Sequence, residues 1–124
     1  MPEYRRVRVE GGIYFFTVVT YHRRPILVEP IARNILHSAW ESTRERFPFE
    51  TVAISLLPDH LHCIWKLPDG DDNYSIRWKE IKYLFTVAYM KEIGPGEARN
   101  DSRQKRQEAA IWQRRFWEHT ILDE

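Results

Sequence analysis

The chain of 124 residues is 43% hydrophobic and 14% aromatic, enough for one domain with a packed core and too little for two ordinary domains. One cysteine, Cys63, excludes an internal disulfide. No stretch approaches the ~20 apolar residues of a membrane span, and the opening Met-Pro-Glu-Tyr-Arg-Arg is unlike a secretion signal, so the expectation is a soluble protein of a reducing cytoplasm with no membrane partner.

Gly11-Gly12 is followed by Ile13 to Thr20, β-branched and aromatic throughout, which predicts a central first strand apolar on both faces. Pro30 suits a first helical turn. Ile31, Ile35, Leu36, Ala39 and Trp40 then recur at helical spacing, so a helix is predicted over Ala32 to Arg46, closed by Phe47-Pro48. Thr51 to Leu57 and His60 to Leu67 read as two strands joined by a tight Pro58-Asp59 turn, an antiparallel hairpin. A polar connector over 68–73 leads to a second helix, Ile76 to Glu92. Its apolar face is Ile76, Trp78, Ile81, Leu84, Phe85, Ala88 and Tyr89, and Arg77, Lys79, Lys82 and Lys91 are assigned to its solvent side. Gly94-Pro95-Gly96 ends it, and the almost wholly polar residues that follow predict a mobile loop over 94–109. Phe116 to Leu122 alternates loosely as a fourth strand, with Trp112, Phe116 and Trp117 assigned to the core. The order β-α-β-β-α-β predicts a single α+β domain over 1–124 of ferredoxin-like form, with both helices on one face of an antiparallel sheet and the first and third strands central.

The chemistry of the chain concentrates in Pro58-Asp59-His60-Leu61-His62-Cys63-Ile64-Trp65. Side chains alternate across a strand, so His60 and His62 share a face with Cβ atoms about 7 Å apart, a spacing from which two imidazoles can converge on one metal ion. Leu61, Cys63 and Trp65 take the opposite face and can be buried, making the strand a rigid mount. The competing reading is a pair that merely opens an exposed hairpin strand. Asp59 is read as a turn residue in preference to an orienter of a histidine. Glu118 and His119 are weaker metal candidates, on a strand expected to neighbour the first. His22 and His37 are assigned to the surface, and Cys63 is read as a small core residue.

Although the net charge is only +1, its distribution is uneven. Arg5, Arg6 and Arg8 cluster near the start, Arg23 and Arg24 follow the first strand, and between residues 99 and 115 six basic side chains stand against Asp101 and Glu108. Arg5, Arg6, Arg23, Arg24, Arg114 and Arg115 are the candidates for nucleic-acid contact, because the guanidinium fork suits phosphate oxygens and guanine edges; solvated helix faces would give similar runs.

The ordered set of motifs resembles the REP-associated tyrosine transposases, a branch of the single-tyrosine HUH transposases. It comprises Glu3-Tyr4-Arg5-Arg6, Gly11-Gly12, Phe15-Phe16-Thr17-Val18, Leu57 to Trp65, Leu67-Pro68-Asp69-Gly70-Asp71-Asp72, Arg77-Trp78-Lys79-Glu80-Ile81-Lys82 and Trp112-Gln113-Arg114-Arg115-Phe116-Trp117-Glu118-His119. The resemblance implies a bacterial, nucleoid-associated protein, monomer or homodimer, that binds repetitive extragenic palindromic hairpins as single-stranded DNA and cleaves and rejoins them. It also implies that the histidine pair holds a divalent ion, Mg2+ or Mn2+, beside which a tyrosine attacks the phosphate to leave a 5′-phosphotyrosine. Imidazole ligands favour manganese on ligand chemistry alone. Arg5 and Arg6 rank first among the DNA candidates because the family's N-terminal segment reads a short guide sequence beside the hairpin.

One departure stands out. In the family the attacking tyrosine lies on a helix beyond the Trp-Gln-Arg-Arg-Phe-Trp-Glu-His segment, with a further metal ligand one turn later, and the present sequence stops at Leu122-Asp123-Glu124. No catalytic tyrosine is assigned, and little strand cleavage is expected of this chain by itself. The alternative function is a non-catalytic single-stranded nucleic-acid-binding module whose histidines make no metal site.

Overall fold

The computed structural model describes residues 9–93, 111–113 and 116–121. Its elements are β1 (Ile13–Val19), α1 (Pro30–Arg46), β2 (Glu50–Leu56), β3 (His60–Lys66), α2 (Tyr74–Ile93) and β4 (Trp117–Ile121), with two single-turn 3-10 segments, Tyr21–Arg23 and Ile26–Val28, between β1 and α1. All six lie within two residues of the sequence-predicted bounds. The strands form one sheet in the order β2-β3-β1-β4 with every neighbouring pair antiparallel, so β1 and β3 are central and the ferredoxin-like arrangement is the one present. The loop expected over 94–109 lies outside the described residues.

Alternation decides the two faces of the sheet. Tyr14, Phe16 and Val18 of β1 and Leu61, Cys63 and Trp65 of β3 are all buried on one face, where α1 and α2 pack. The centre of this core is aromatic: the Trp65 and Trp78 rings stack at 4.5 Å, and Phe49 and Trp40 close on Trp65 at 4.2 and 5.7 Å. Trp112 is buried and Phe116 packs partly buried against this core, as expected of both. The alternate residues Phe15, Thr17, His60, His62 and Ile64 are only half-buried and belong to the other face.

The assignment of Arg77 and Lys82 to the solvent side of α2 is corrected by the structure, since both side chains are buried. Tyr74, Arg77, Trp78, Ile81, Phe85 and Tyr89 follow the three-and-four spacing of a helix stripe, and Arg77 occupies a position in that stripe despite its charge. Its guanidinium is satisfied there. It donates to the carbonyls of Phe47, Pro48 and Asn73 at 3.1, 2.8 and 2.9 Å and to both carboxylate oxygens of Asp71 at 3.2 and 2.8 Å. One buried cation thus ties α2 to the segment leaving α1 and to the connector after β3. Lys82 donates to the Gln113 carbonyl at 2.9 Å, with its ammonium 5.6 Å from the Phe116 ring centre. Both charges were illegible as buried because each has a backbone carbonyl about thirty residues away among its acceptors, Phe47 and Pro48 for Arg77 and Gln113 for Lys82.

The β1 entry rests on a turn at Gly11, whose φ of +67° is a left-handed conformation that glycine adopts without steric cost. Gly12 follows with a Cβ position only 2.7 Å from the Val9 carbonyl, so a larger residue has no room there.

Candidate functional site

His60 and His62 project from β3 onto the sheet face away from the helices, with ring centroids 4.9 Å apart and planes at 78°. Each ring is oriented through Nδ1. His60 Nδ1 lies 2.7 Å from Asp59 Oδ1, and His62 Nδ1 lies 2.9 Å from the Thr17 hydroxyl, directly across from it on β1. Phe15 stacks on the His62 ring at 5.5 Å and 25°, fixing its plane from the neighbouring strand. Among the described residues no partner engages either Nε2.

This separation is one that two ligands of a single ion would have. A nitrogen bound at ~2.1 Å puts its ring centre about 3.3 Å from the ion, so two rings at right angles about that ion have centres about 4.6 Å apart. The ring separation is therefore compatible with both imidazoles reaching one divalent ion. Among the described residues no group of three or more His, Cys, Asp or Glu side chains is placed to hold a metal, so an ion at this pair would have two protein ligands from them.

The other titratable candidates separate from the pair. His119 is exposed on β4 opposite Phe15, on the same face as His62 but two strands across and two residues along, which places it roughly 12 Å away. Glu118 is buried opposite Phe16, on the helix side. Cys63 also points into the core, where burial pushes its thiol pKa well up, in keeping with a packing role. His22 and His37 are exposed, as expected of both.

Asp59 differs from its sequence reading. Its side chain is more than a turn former: one carboxylate oxygen takes the His60 ring and the other accepts from Arg23 Nε at 2.9 Å. The hydrogen bond to His60 is the largest cause holding the Asp59 carboxyl below its ordinary pKa; desolvation opposes it, and Arg23 adds to the lowering. Arg23 reaches Asp59 because the chain leaves β1 through an unusual bend. His22 and Arg23 both have positive φ, 55° and 52°, a conformation that costs a non-glycine residue of order 1–3 kcal/mol and persists only where surrounding contacts hold it. Those contacts are present. Thr20 donates its backbone N–H to the Asp59 carbonyl at 3.0 Å, Leu27 donates to the Pro58 carbonyl at 3.0 Å, and the buried Thr20 hydroxyl shares one hydrogen between the carbonyls of Arg24 and Asp59. The segment after β1 is thereby stitched to the hairpin turn that carries the histidines.

Of the arginines selected from the sequence, Arg23 is largely exposed in its ion pair with Asp59, and Arg24 is half-buried beside it. Arg5, Arg6, Arg114 and Arg115 lie outside the described residues. Tyr14, Tyr74 and Tyr89 are buried in the core, and Tyr83 is exposed on α2, on the far side of the sheet from the histidines. Tyr21 stacks on His22 at 4.0 Å in the bend after β1. The Thr17 to His62 and Arg23 to Asp59 contacts were not read from the sequence, because nothing local marks a partner 45 or 36 residues away.

No family model matches the chain. It is 48% identical over 125 residues to a Haemophilus influenzae protein whose name places it among the REP-associated tyrosine transposases, covering 100% of this chain and 68% of that one. It is 43% identical over 122 residues to the REP-associated tyrosine transposase of Escherichia coli K12, covering 98% of this chain and 62% of the relative. A solved structure of a REP-associated tyrosine transposase bound to a REP hairpin matches with a TM-score of 0.77 at 40% identity, over 100% of this chain and 64% of that one. A Deinococcus radiodurans crystal structure matches with a TM-score of 0.66 over 98% of the chain, and at 16% identity it shows the fold alone. The chain thus spans about two thirds of the length of the transposases it matches.

Proposed function

Because this chain belongs to the REP-associated tyrosine transposases, we propose that its sheet face opposite the helices binds single-stranded or hairpin DNA of the REP type beside a divalent ion, Mg2+ or Mn2+, held by His60 and His62. The observation that carries this reading is the side-by-side placement of the two rings on the sheet face away from the helices, each oriented through Nδ1, with no partner on Nε2 among the described residues. An ion bound there would neutralise phosphate oxygens and support in-line displacement at phosphorus. The chain's own contribution is to hold the two nitrogens at a fixed separation on a strand that the core keeps rigid. Arg5, Arg6, Arg23, Arg24, Arg114 and Arg115 are proposed to contact phosphates or base edges of the DNA. Cleavage and rejoining through a phosphotyrosine is proposed for the whole protein, and none of the tyrosines of these 124 residues is assigned as nucleophile. A bacterial cytoplasmic, nucleoid-associated location follows from that reading. Among the described residues no helix is long and apolar enough to cross a membrane.

The test is a manganese titration followed by electron paramagnetic resonance of the free ion, paired with fluorescence anisotropy on a labelled single-stranded palindromic hairpin. The wild-type chain is expected to give a saturable manganese isotherm and hairpin binding that weakens steeply with salt. His60→Ala with His62→Ala removes the isotherm while leaving the fold intact. Hairpin binding without any manganese isotherm in the wild type would overturn the metal reading in favour of a non-catalytic nucleic-acid-binding module.

A further inference from the structure

We propose that Asp59, itself held by Arg23, is a positioning residue that locks His60 in the tautomer with the proton on Nδ1, so that the Nε2 lone pair stands ready for a metal ion or another electrophile. The inference rests on the metal reading only for its consequence and on geometry for its substance. An ionised carboxylate has no proton to give, so the 2.7 Å contact between Asp59 Oδ1 and His60 Nδ1 requires the hydrogen to sit on the ring nitrogen. The opposite nitrogen is then unprotonated in the neutral ring. His62 is held differently. Its Nδ1 faces the Thr17 hydroxyl at 2.9 Å, a group that can donate or accept, so that contact fixes ring direction without choosing a tautomer. The two histidines are therefore unequal: His60 is set before an ion arrives, and His62 is set on its arrival.

Arg23 enters because the second Asp59 oxygen accepts from its Nε at 2.9 Å, which leaves the first oxygen aimed at His60. The consecutive positive φ angles of His22 and Arg23 and the buried Thr20 hydroxyl bring this guanidinium to the turn. A side chain selected from the sequence as a DNA contact thus reaches the metal mount through one carboxylate. Arg23 touches neither ring, so its influence runs wholly through Asp59.

The experiment is long-range proton–nitrogen NMR of the metal-free 124-residue chain at a pH where its imidazoles are neutral, with the manganese titration on the same variants. In the wild type His60 is expected in the Nδ1–H form. Asp59→Asn keeps the shape of the side chain but can turn its amide N–H toward Nδ1, moving the proton to Nε2, and should weaken manganese binding by about 10–100-fold, the usual cost of losing an outer-shell partner. Arg23→Ala should lower the Nδ1–H fraction and weaken binding by a smaller factor, with Arg23→Lys restoring part of it. Unchanged thermal unfolding in these variants separates positioning from folding. A wild-type His60 carrying its proton on Nε2, or an Asp59→Asn chain with unaltered tautomer, overturns the proposal whatever the manganese result. A wild-type chain with the expected tautomer and no manganese isotherm upholds the positioning role and overturns the metal reading instead.

Discussion

Replacing Arg77 by Met tests whether a buried cation organises this fold. Methionine keeps an unbranched apolar stem of similar reach, so the change removes the guanidinium with little change in packing. Five hydrogen bonds are lost. The Asp71 carboxylate is about a third exposed and can recover water, so the cost falls chiefly on the carbonyls of Phe47, Pro48 and Asn73. At about 1 kcal/mol for each acceptor left without its donor, the three come to about 3 kcal/mol, and breaking one side of a buried ion pair typically costs about 3–5 kcal/mol. We expect a loss of about 3–5 kcal/mol, a large share of the roughly 5–15 kcal/mol that holds a domain of this kind together. In urea unfolding followed by tryptophan fluorescence, a slope of about 2 kcal/mol per molar turns this into a midpoint lowered by roughly 1.5–2.5 M. The exposed Lys79→Met serves as the reference and should stay within about 0.5 kcal/mol of wild type. An Arg77→Met chain that loses less than about 1 kcal/mol would refute the reasoning, because the guanidinium would then be replaceable by water.

The same ion pair predicts a pH dependence. Asp71 has its pKa lowered below its ordinary value, first by the hydrogen bond from Arg77, so its contribution to stability is present above the carboxylate's unfolded value and disappears as pH falls through the lowered folded one. Urea midpoints measured from pH 6 downward should show a smaller acid-induced loss in Asp71→Asn than in wild type, and equal losses would contradict it. Thr17→Val removes the only described partner of His62 Nδ1 at nearly constant volume, and should weaken manganese binding by about 3–10-fold with little change in unfolding; affinity within twofold of wild type would mean that Phe15 stacking alone orients the ring. On a palindromic single-stranded hairpin with manganese, the 124-residue chain should yield little or no cleavage. A covalent protein–DNA band in denaturing electrophoresis would show that one of its own tyrosines, Tyr21 of the bend being the first to mutate, is the nucleophile.

What the sequence determined by itself is the skeleton and the position of the histidine pair. The alternation of Leu61, Cys63 and Trp65 against His60 and His62 identifies which side of β3 is buried, and the helical spacing of Trp78, Ile81, Phe85 and Tyr89 identifies the inner face of α2, because periodicity is a local property of the chain. Tertiary structure alone decided the environment of those residues. Whether Asp59 merely makes a turn or also orients a histidine depends on where Arg23 arrives, and that depends on a bend stitched by Thr20 and Leu27 to a turn more than thirty residues away. Arg77 has the charge of a surface residue, and only the folded chain reveals three carbonyls and a carboxylate gathered around its buried position. Hydrogen bonds of this kind join positions with no periodic relation in sequence, so they exist as information only after the strands and helices have packed.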